Sequence, residues 1–321
     1  MPRRLIAAGL ALAVVVGSGQ LSAQLPRPLI PLQGEGNRVA PFFDGWYENA
    51  DGTITFSFGY SNLNKETIEI PLGPDNFITP KEYDGRQPTT FLVFGPDLAD
   101  GGGGGGGRGG ATPAVSPATA AARAPGANAG TVVGRERDRD RGVFTVTVPA
   151  GFKGDVVWTL KHNGQTYAIP GRSKSTAYQL SWPAAMGTTP PLVRFQEKGP
   201  SGRGPTGVHA PPLQAKVDVP IELGIWLTDD AVHDKEPIKF GRERPGMNVT
   251  WLKYAGPGAV EFEPQKVGFP ALTGQSTTKA TFKAPGEYVV RVKADAFGYS
   301  DSSAGNQCCW TNGYQKVTVT R

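Results

Sequence analysis

Apolar and polar residues alternate with a period of two along most of this chain, which predicts strands and not helices. The clearest stretch is 278–295. Thr278, Ala280 and Phe282 alternate with Lys279, Thr281 and Lys283, and beyond Pro285-Gly286 the residues Tyr288, Val290 and Val292 alternate with Val289, Arg291 and Lys293. This spacing predicts two strands joined as a hairpin at the Pro-Gly turn. In the N-terminal half, 53–60 places Ile54, Phe56, Phe58 and Tyr60 on one face, behind the turn cluster Asn49-Ala-Asp-Gly52 and a partner segment at 42–47. Further strands are predicted at 68–72, 89–94, 143–148, 155–161, 165–169 and 176–182. Towards the C-terminus, seven are predicted, at 214–219, 221–227, 248–254, 259–263, 276–283, 286–294 and 314–320, the number that an immunoglobulin-type sandwich requires.

The predicted fold class is therefore all-β, with two β-sandwich domains, the C-terminal one immunoglobulin-like. Residues 1–23 carry Arg3 and Arg4, a short apolar run and the small-residue ending Leu-Ser-Ala23, the layout of a secretory signal peptide. The apolar run is shorter than the ~20 residues a spanning helix needs. Residues 24–40 read as an extended lead-in and 41–198 as the N-terminal domain. Seven consecutive glycines open a tract, 100–134, without aromatic residues, which is expected to be a disordered insertion within that domain. Residues 199–212, rich in Gly and Pro, read as a linker, and 213–321 as the immunoglobulin-like domain. The mixed-charge run 135–141 reads as a solvated approach to a strand. Loss of the signal lowers the formal net charge from +5 to +3, because Arg3 and Arg4 leave and no acidic residue does. That is no footprint for nucleic acid, and no later segment is apolar enough to span a bilayer. The mature protein is expected to be exported, periplasmic or extracellular.

The segments Val249-Thr-Trp-Leu-Lys-Tyr-Ala-Gly-Pro-Gly258, Ala280 through Val289 and Gln315-Lys-Val-Thr-Val-Thr320 resemble the bacterial immunoglobulin-like modules of the polycystic-kidney-disease and cadherin-like groups. The resemblance covers about a third of the chain and lacks the acidic Trp-Asp-Phe-Gly-Asp-Gly type of motif. It implies that Trp251, as the strand-C tryptophan, packs in the core. The N-terminal half is similar to uncharacterised exported bacterial proteins through Gly45-Trp-Tyr-x-Asn49, Asp51-Gly52, Phe58-Gly-Tyr60 and Gln87-Pro-Thr89, and Cys308-Cys309-Trp310-Thr-Asn312 fits the same group. That likeness implies no activity.

Chemistry is sparse. No Gly-x-Ser-x-Gly, His-Glu-x-x-His or P-loop spacing occurs, so no catalytic residue is assigned. The three histidines are scattered, His162 in an expected turn and His209 in the expected linker. Neither a metal site nor a cofactor is expected. Adjacent Cys308 and Cys309 leave three readings open: a vicinal disulfide at a loop tip, two buried thiols, or intermolecular bridging or metal binding. Asp229, Asp230, Asp234 and Glu236 read as an exposed acidic loop, with calcium as the alternative. Candidate ligand contacts are Trp46, Tyr47 and Tyr60, whose aromatic faces suit a sugar or peptide, and the Cys308, Cys309 and Trp310 loop. Because Trp46 and Tyr47 point to opposite faces of a strand, one of the two at most is expected to be free. The function these features favour is a non-catalytic binding or structural module recognising a protein or glycan at the cell envelope. The alternatives are a carbohydrate-active enzyme using N-terminal carboxylates, and redox or metal handling at the cysteines.

Overall fold

The computed structural model describes residues 38–93, 139–173, 176–180, 189–231, 246–269, 271–296 and 309–321. The expected signal segment, the glycine tract, residues 232–236 of the expected acidic loop and Cys308 lie outside the described residues. Among those described, the regular structure is strand, apart from short 3-10 turns at Lys81–Tyr83 and Thr176–Tyr178. No helix there is long and apolar enough to cross a membrane.

The N-terminal sandwich contains β1 (Val39–Glu48), β2 (Ile54–Asn62), β3 (Ile68–Glu69), β4 (Asn76–Thr79), β5 (Thr90–Phe91), β6 (Arg139–Val148), β7 (Val156–His162) and β8 (Gln165–Gly171). One sheet has the order β1-β2-β6, a second β4-β7-β8, and β3 pairs with β5. Strands from both sides of the glycine tract are therefore neighbours, since β2 pairs with β6 and β4 with β7. Alternation explains the core. Phe56, Phe58 and Tyr60 from β2 and Phe144 and Val146 from β6 face inward onto Trp158 of β7, with the Phe144 and Trp158 rings 5.0 Å apart edge to face. The predicted strand at 176–182 is instead the 3-10 turn followed by a single bridge from Gln179 to Trp46. Leu180 docks there by donating its N–H to the Trp46 carbonyl at 2.7 Å, so the segment is tacked onto β1 and not woven into a sheet.

The C-terminal sandwich follows with β9 (Leu192–Arg194), β10 (Ser201–Gly202), β11 (Val208–His209), β12 (Leu213–Lys216), β13 (Ile221–Thr228), β14 (Met247–Ala255), β15 (Val260–Glu263), β16 (Lys266–Phe269), β17 (Thr273–Phe282), β18 (Gly286–Asp295) and β19 (Trp310–Thr320). Its sheets are β10-β9-β13-β17-β15 and β11-β19-β18-β14-β16, with β12 running parallel to β19. That strand order is immunoglobulin-like. Trp251 of β14 is fully buried at the centre of its core, as the resemblance implied. The stretch 199–212, expected as a linker, contains β10 and β11, which pair with β9 and β19 and so lie against the C-terminal sheets.

The predicted hairpin across Pro285-Gly286 is corrected by the topology. β17 and β18 belong to opposite sheets, and residues 283–285 carry the chain over the edge of the sandwich. Both strands have an apolar inner face, and two such faces are satisfied by meeting across a core: Phe282 and Tyr288 lie 4.9 Å apart between ring centroids. Tyr288 donates its phenol O–H back to the Ala284 carbonyl at 2.9 Å, the tyrosine corner that locks this crossing in immunoglobulin-type domains.

The described residues fall within one compact unit, Glu35–Arg321, because the second sheet of the C-terminal sandwich docks its outer face on the N-terminal one. Arg291 and Lys293, the polar half of the β18 alternation, are only 2 % and 5 % exposed. Arg291 reaches Asp140 of β6 at 2.5 Å, with both side chains buried, and donates its Nε–H to Asn312 at 3.0 Å. Residues 139–141 of the charged run are thus part of the strand. Asp140 is carried inside because its guanidinium partner compensates part of the desolvation cost. Removing one partner leaves an unpaired buried charge, so Arg291→Met is expected to lose about 3–5 kcal/mol of stability, and Asp140→Leu with Arg291→Met distinctly less than the sum of the single losses. Urea denaturation of the four proteins measures this, and strictly additive losses would contradict the pairing.

Candidate functional site

Five of the six candidate ligand contacts are interior residues. Trp46 is 9 % exposed and packs in the N-terminal core, Tyr60 is 2 % exposed, and Trp310 is fully buried. Tyr47, 5 % exposed, does point to the face opposite Trp46, but its phenol shares a hydrogen bond with Thr206 at 3.1 Å. Tyr60 accepts the Leu92 N–H at 2.9 Å. Cys309 is buried and disulfide-bonded, whereas Cys308 lies outside the described residues. Large rings in a small domain are the most economical way to fill a core, and these are used for that and for the contact between the sandwiches. None of the five presents a free aromatic face.

What they frame is a polar seam. Asn312 donates to the carbonyls of Gly142 and Pro205 at 2.7 and 2.9 Å, and Tyr314 donates to that of Val143 at 2.7 Å. Thr89 donates its N–H to the Tyr254 carbonyl at 3.1 Å, and Tyr254 donates its phenol proton to the Arg86 carbonyl. Two glycines permit the approach. Gly207, at φ +63°, sits where a Cβ would lie 1.9 Å from the Asn312 carbonyl oxygen, and Gly142, at φ +55°, where it would lie 2.5 Å from the Trp310 ring.

Burial sets the electrostatics of the seam. It pushes the Tyr60 and Tyr254 phenols well above their ordinary pKa, and pushes Tyr314 up to about 12 against the pull of Arg291. All three remain protonated in any physiological medium. Burial works against the Arg291 charge, but Asp140 together with the Tyr314 and Tyr60 phenols outweighs it and the guanidinium pKa ends above its usual value. The carboxylates on which an enzymatic reading would draw are engaged in the same way. Asp44 is held by Arg139 and the Gly142 N–H, Glu69 by Lys253 at 2.7 Å, and Asp155 by Arg172. Asp230 of the expected acidic loop is paired with Arg203. No group of three or more metal-ligating side chains forms among the described residues.

Where the seam opens, it leaves a cleft of about 320 Å³ between the sandwiches. The N-terminal side supplies Arg86, Phe144, Thr145 and Thr147, and the other side Thr206, His209, Tyr254, Tyr314 and Lys316. No carboxylate is among its described lining residues, and Arg86, His209 and Lys316 take no ion pair among the described residues. His209 is exposed at its edge, while one face stacks on Tyr314 with centroids 4.9 Å apart and planes 19° from parallel. The hydroxyls are fixed by one another: Thr206 bonds Thr145 at 3.1 Å, and Thr147 bonds Thr55 at 3.0 Å. A second depression of about 610 Å³, lined by Glu69, Pro71, Leu72, Ala255, Pro257 and Glu287, shares Val289 and Lys316 with the cleft. No local motif marked these residues. Their basic side chains lie at positions 86, 209 and 316: pairing of β11 with β19 sets His209 near Lys316, and the docking of the two sandwiches brings Arg86 to them.

No protein-family model matches the chain, and no curated protein sequence matches it. Solved structures with some likeness include the D0-D1 domain of intimin, 9% identical, covering 88% of this chain and 98% of that one at a TM-score of 0.23. The adhesin InvE of Yersinia pseudotuberculosis is 10% identical over 88% of this chain and 58% of its own, at 0.21. Domains 4 and 5 of the S-layer protein SbsC are 11% identical over 54% and 69%, at 0.22. Likenesses this loose carry no argument, and the immunoglobulin-like assignment rests on strand order and the tyrosine corner.

His209 reports on the cleft. Partial burial, then Lys316 and Arg86, hold its imidazole below the usual value near 6.5. The folded protein thus favours neutral imidazole, so this contribution to stability is complete above about pH 6.5 and is lost as pH falls through the lower folded midpoint. An NMR titration is expected to place His209 below 6.5 and Lys316→Gln to raise it. A midpoint unmoved by that substitution would remove Lys316 from its surroundings.

Proposed function

We propose that this chain is an exported, non-catalytic binding or structural module that recognises a protein or glycan at the periplasm or cell surface, with the cleft between its sandwiches as the recognition surface. The observation that carries the reading is the cleft itself. Its walls come from two sandwiches joined by a buried ion pair and carbonyl-directed hydrogen bonds, and its described lining includes cations that no carboxylate neutralises. A surface so fixed before binding loses little conformational freedom when a ligand enters. The C-terminal sandwich fits the role of a bacterial module of the polycystic-kidney-disease and cadherin-like kind, and the N-terminal 23 residues fit a cleaved export signal.

Two measurements test this. Intact mass of protein from the exported fraction is expected to match a chain beginning near Gln24, and a full-length mass confined to the cytoplasm would refute export. Cosedimentation with purified cell-envelope polysaccharide, and with envelope protein stripped of it, is expected to show retention on one of the two that Arg86→Ala with Lys316→Ala reduces at least tenfold. Retention on neither, or retention indifferent to the double substitution, would refute the cleft as the recognition surface.

A further inference from the structure

We infer that the cleft between the sandwiches is a subsite for a carboxylated sugar, a uronate-type unit of an acidic glycan, with Arg86 and Lys316 receiving the carboxylate and the exposed side of His209 lying against the ring. This rests on the cleft being the recognition surface, and adds to it the class of ligand.

Charge comes first. Three basic side chains border one opening with no carboxylate among its described lining residues, although both sandwiches contain many acidic residues. Like charges gathered around a concave, partly apolar surface repel one another and focus a positive potential into it, and an anion relieves that repulsion. Arg86 and Lys316 are exposed, so their amines and guanidinium are free to move onto a ligand. After burial, Lys316 and Arg86 add to the lowered affinity of His209 for a proton.

A bare anion does not account for the remaining walls. Thr145, Thr147 and Thr206 offer hydroxyls that both donate and accept, which suits the hydroxyls of a sugar better than a spherical ion that only accepts. His209 is held flat by its stacking on Tyr314, so its imidazole is a ready platform for the apolar face of a pyranose ring. The volume, about 320 Å³, falls at the small end of the range for ligand pockets, ~300–1,000 Å³, and suits one or two sugar rings. The adjoining depression carries Glu69 and Glu287 and would repel a further acidic unit, so the subsite is confined to the sugar seated in the cleft. An acidic peptide would use the same cations but brings no saturated ring face to lay on the imidazole that Tyr314 holds flat, so the glycan is the occupant argued here.

Calorimetry and imidazole NMR on the mature chain with trigalacturonate test the inference against three references: the methyl-esterified trimer, an acidic tripeptide and inorganic phosphate. The expected result is saturable binding of trigalacturonate that raises the His209 midpoint, weakens as salt rises, and falls at least tenfold for the ester and for Arg86→Gln or Lys316→Gln. Both substitutions are at exposed positions, and an unchanged urea midpoint certifies the fold of each variant. Equal binding of the ester overturns the carboxylate, equal binding of phosphate reduces the cleft to an adventitious anion site, and equal binding of the tripeptide transfers it to peptides. Each overturns the inference. Absence of trigalacturonate binding together with cleft-dependent retention on envelope material overturns the inference alone, while absence of both overturns the proposed function with it.

Discussion

The contact between Asp140 and Arg291 is the constraint around which the molecule is arranged. A buried ion pair seldom stabilises more than well-packed apolar residues of similar size would, because desolvation consumes most of the Coulombic gain. Its effect is to forbid alternatives. Any arrangement that separates the sandwiches without returning both groups to water leaves a charge in an apolar setting, and any slip between them breaks the Asn312 and Tyr314 hydrogen bonds to the carbonyls of residues 142 and 143. The seam is polar in composition and specific in register. Two domains joined by apolar area alone would tolerate sliding. These two have their relative register set by donors and acceptors at fixed positions.

That dependence explains where sequence reasoning succeeded and where it stopped. Within each sandwich, an apolar residue at every second position has one solution, to face the core, so β2, β6, β13, β17 and β18 were legible, and Trp251 could be placed in its core. Between the sandwiches the same alternation misled. The polar half of β18, Arg291 and Lys293, has the composition of a solvated face yet is buried, because Asp140 of the partner sheet meets Arg291 and the centre of the Trp310 ring lies 4.8 Å from the Lys293 amine. Asp140 sits in a run of charges that reads as solvent-loving, and only the residue facing it, 151 positions away, reveals otherwise. A contact at that separation leaves no local trace. For the same reason the Pro285-Gly286 turn read as a hairpin: period two reports which face is inward, not whether the next strand lies beside it or across from it.

The candidate site was the least legible part. Aromatic residues near turns invited a ligand-binding reading for Trp46, Tyr47, Tyr60 and Trp310, but like most of the large rings of this chain they are the material of the core and the seam. The cleft is built from the residues that drew least attention, a histidine in an apparent linker, an arginine in a loop and a lysine on the last strand. Their shared property is position after docking, which composition and spacing do not encode.

The charge distribution follows from this arrangement. Folding places several carboxylates of the N-terminal sandwich beside a cation: Asp44 beside Arg139, Asp140 beside Arg291 and Glu69 beside Lys253. Pairing at the seam is thus close to neutral, which is the condition for burying it. Arg86 and Lys316 do not enter these pairs, and the same docking that neutralises the seam brings Arg86 to Lys316 and His209 at its open end. A buried seam that demands neutrality and an adjacent cleft that retains positive charge are consequences of one arrangement. The force that fixes the two sandwiches also gives the opening between them its sign, and a ligand drawn to that sign meets walls whose spacing has already been set.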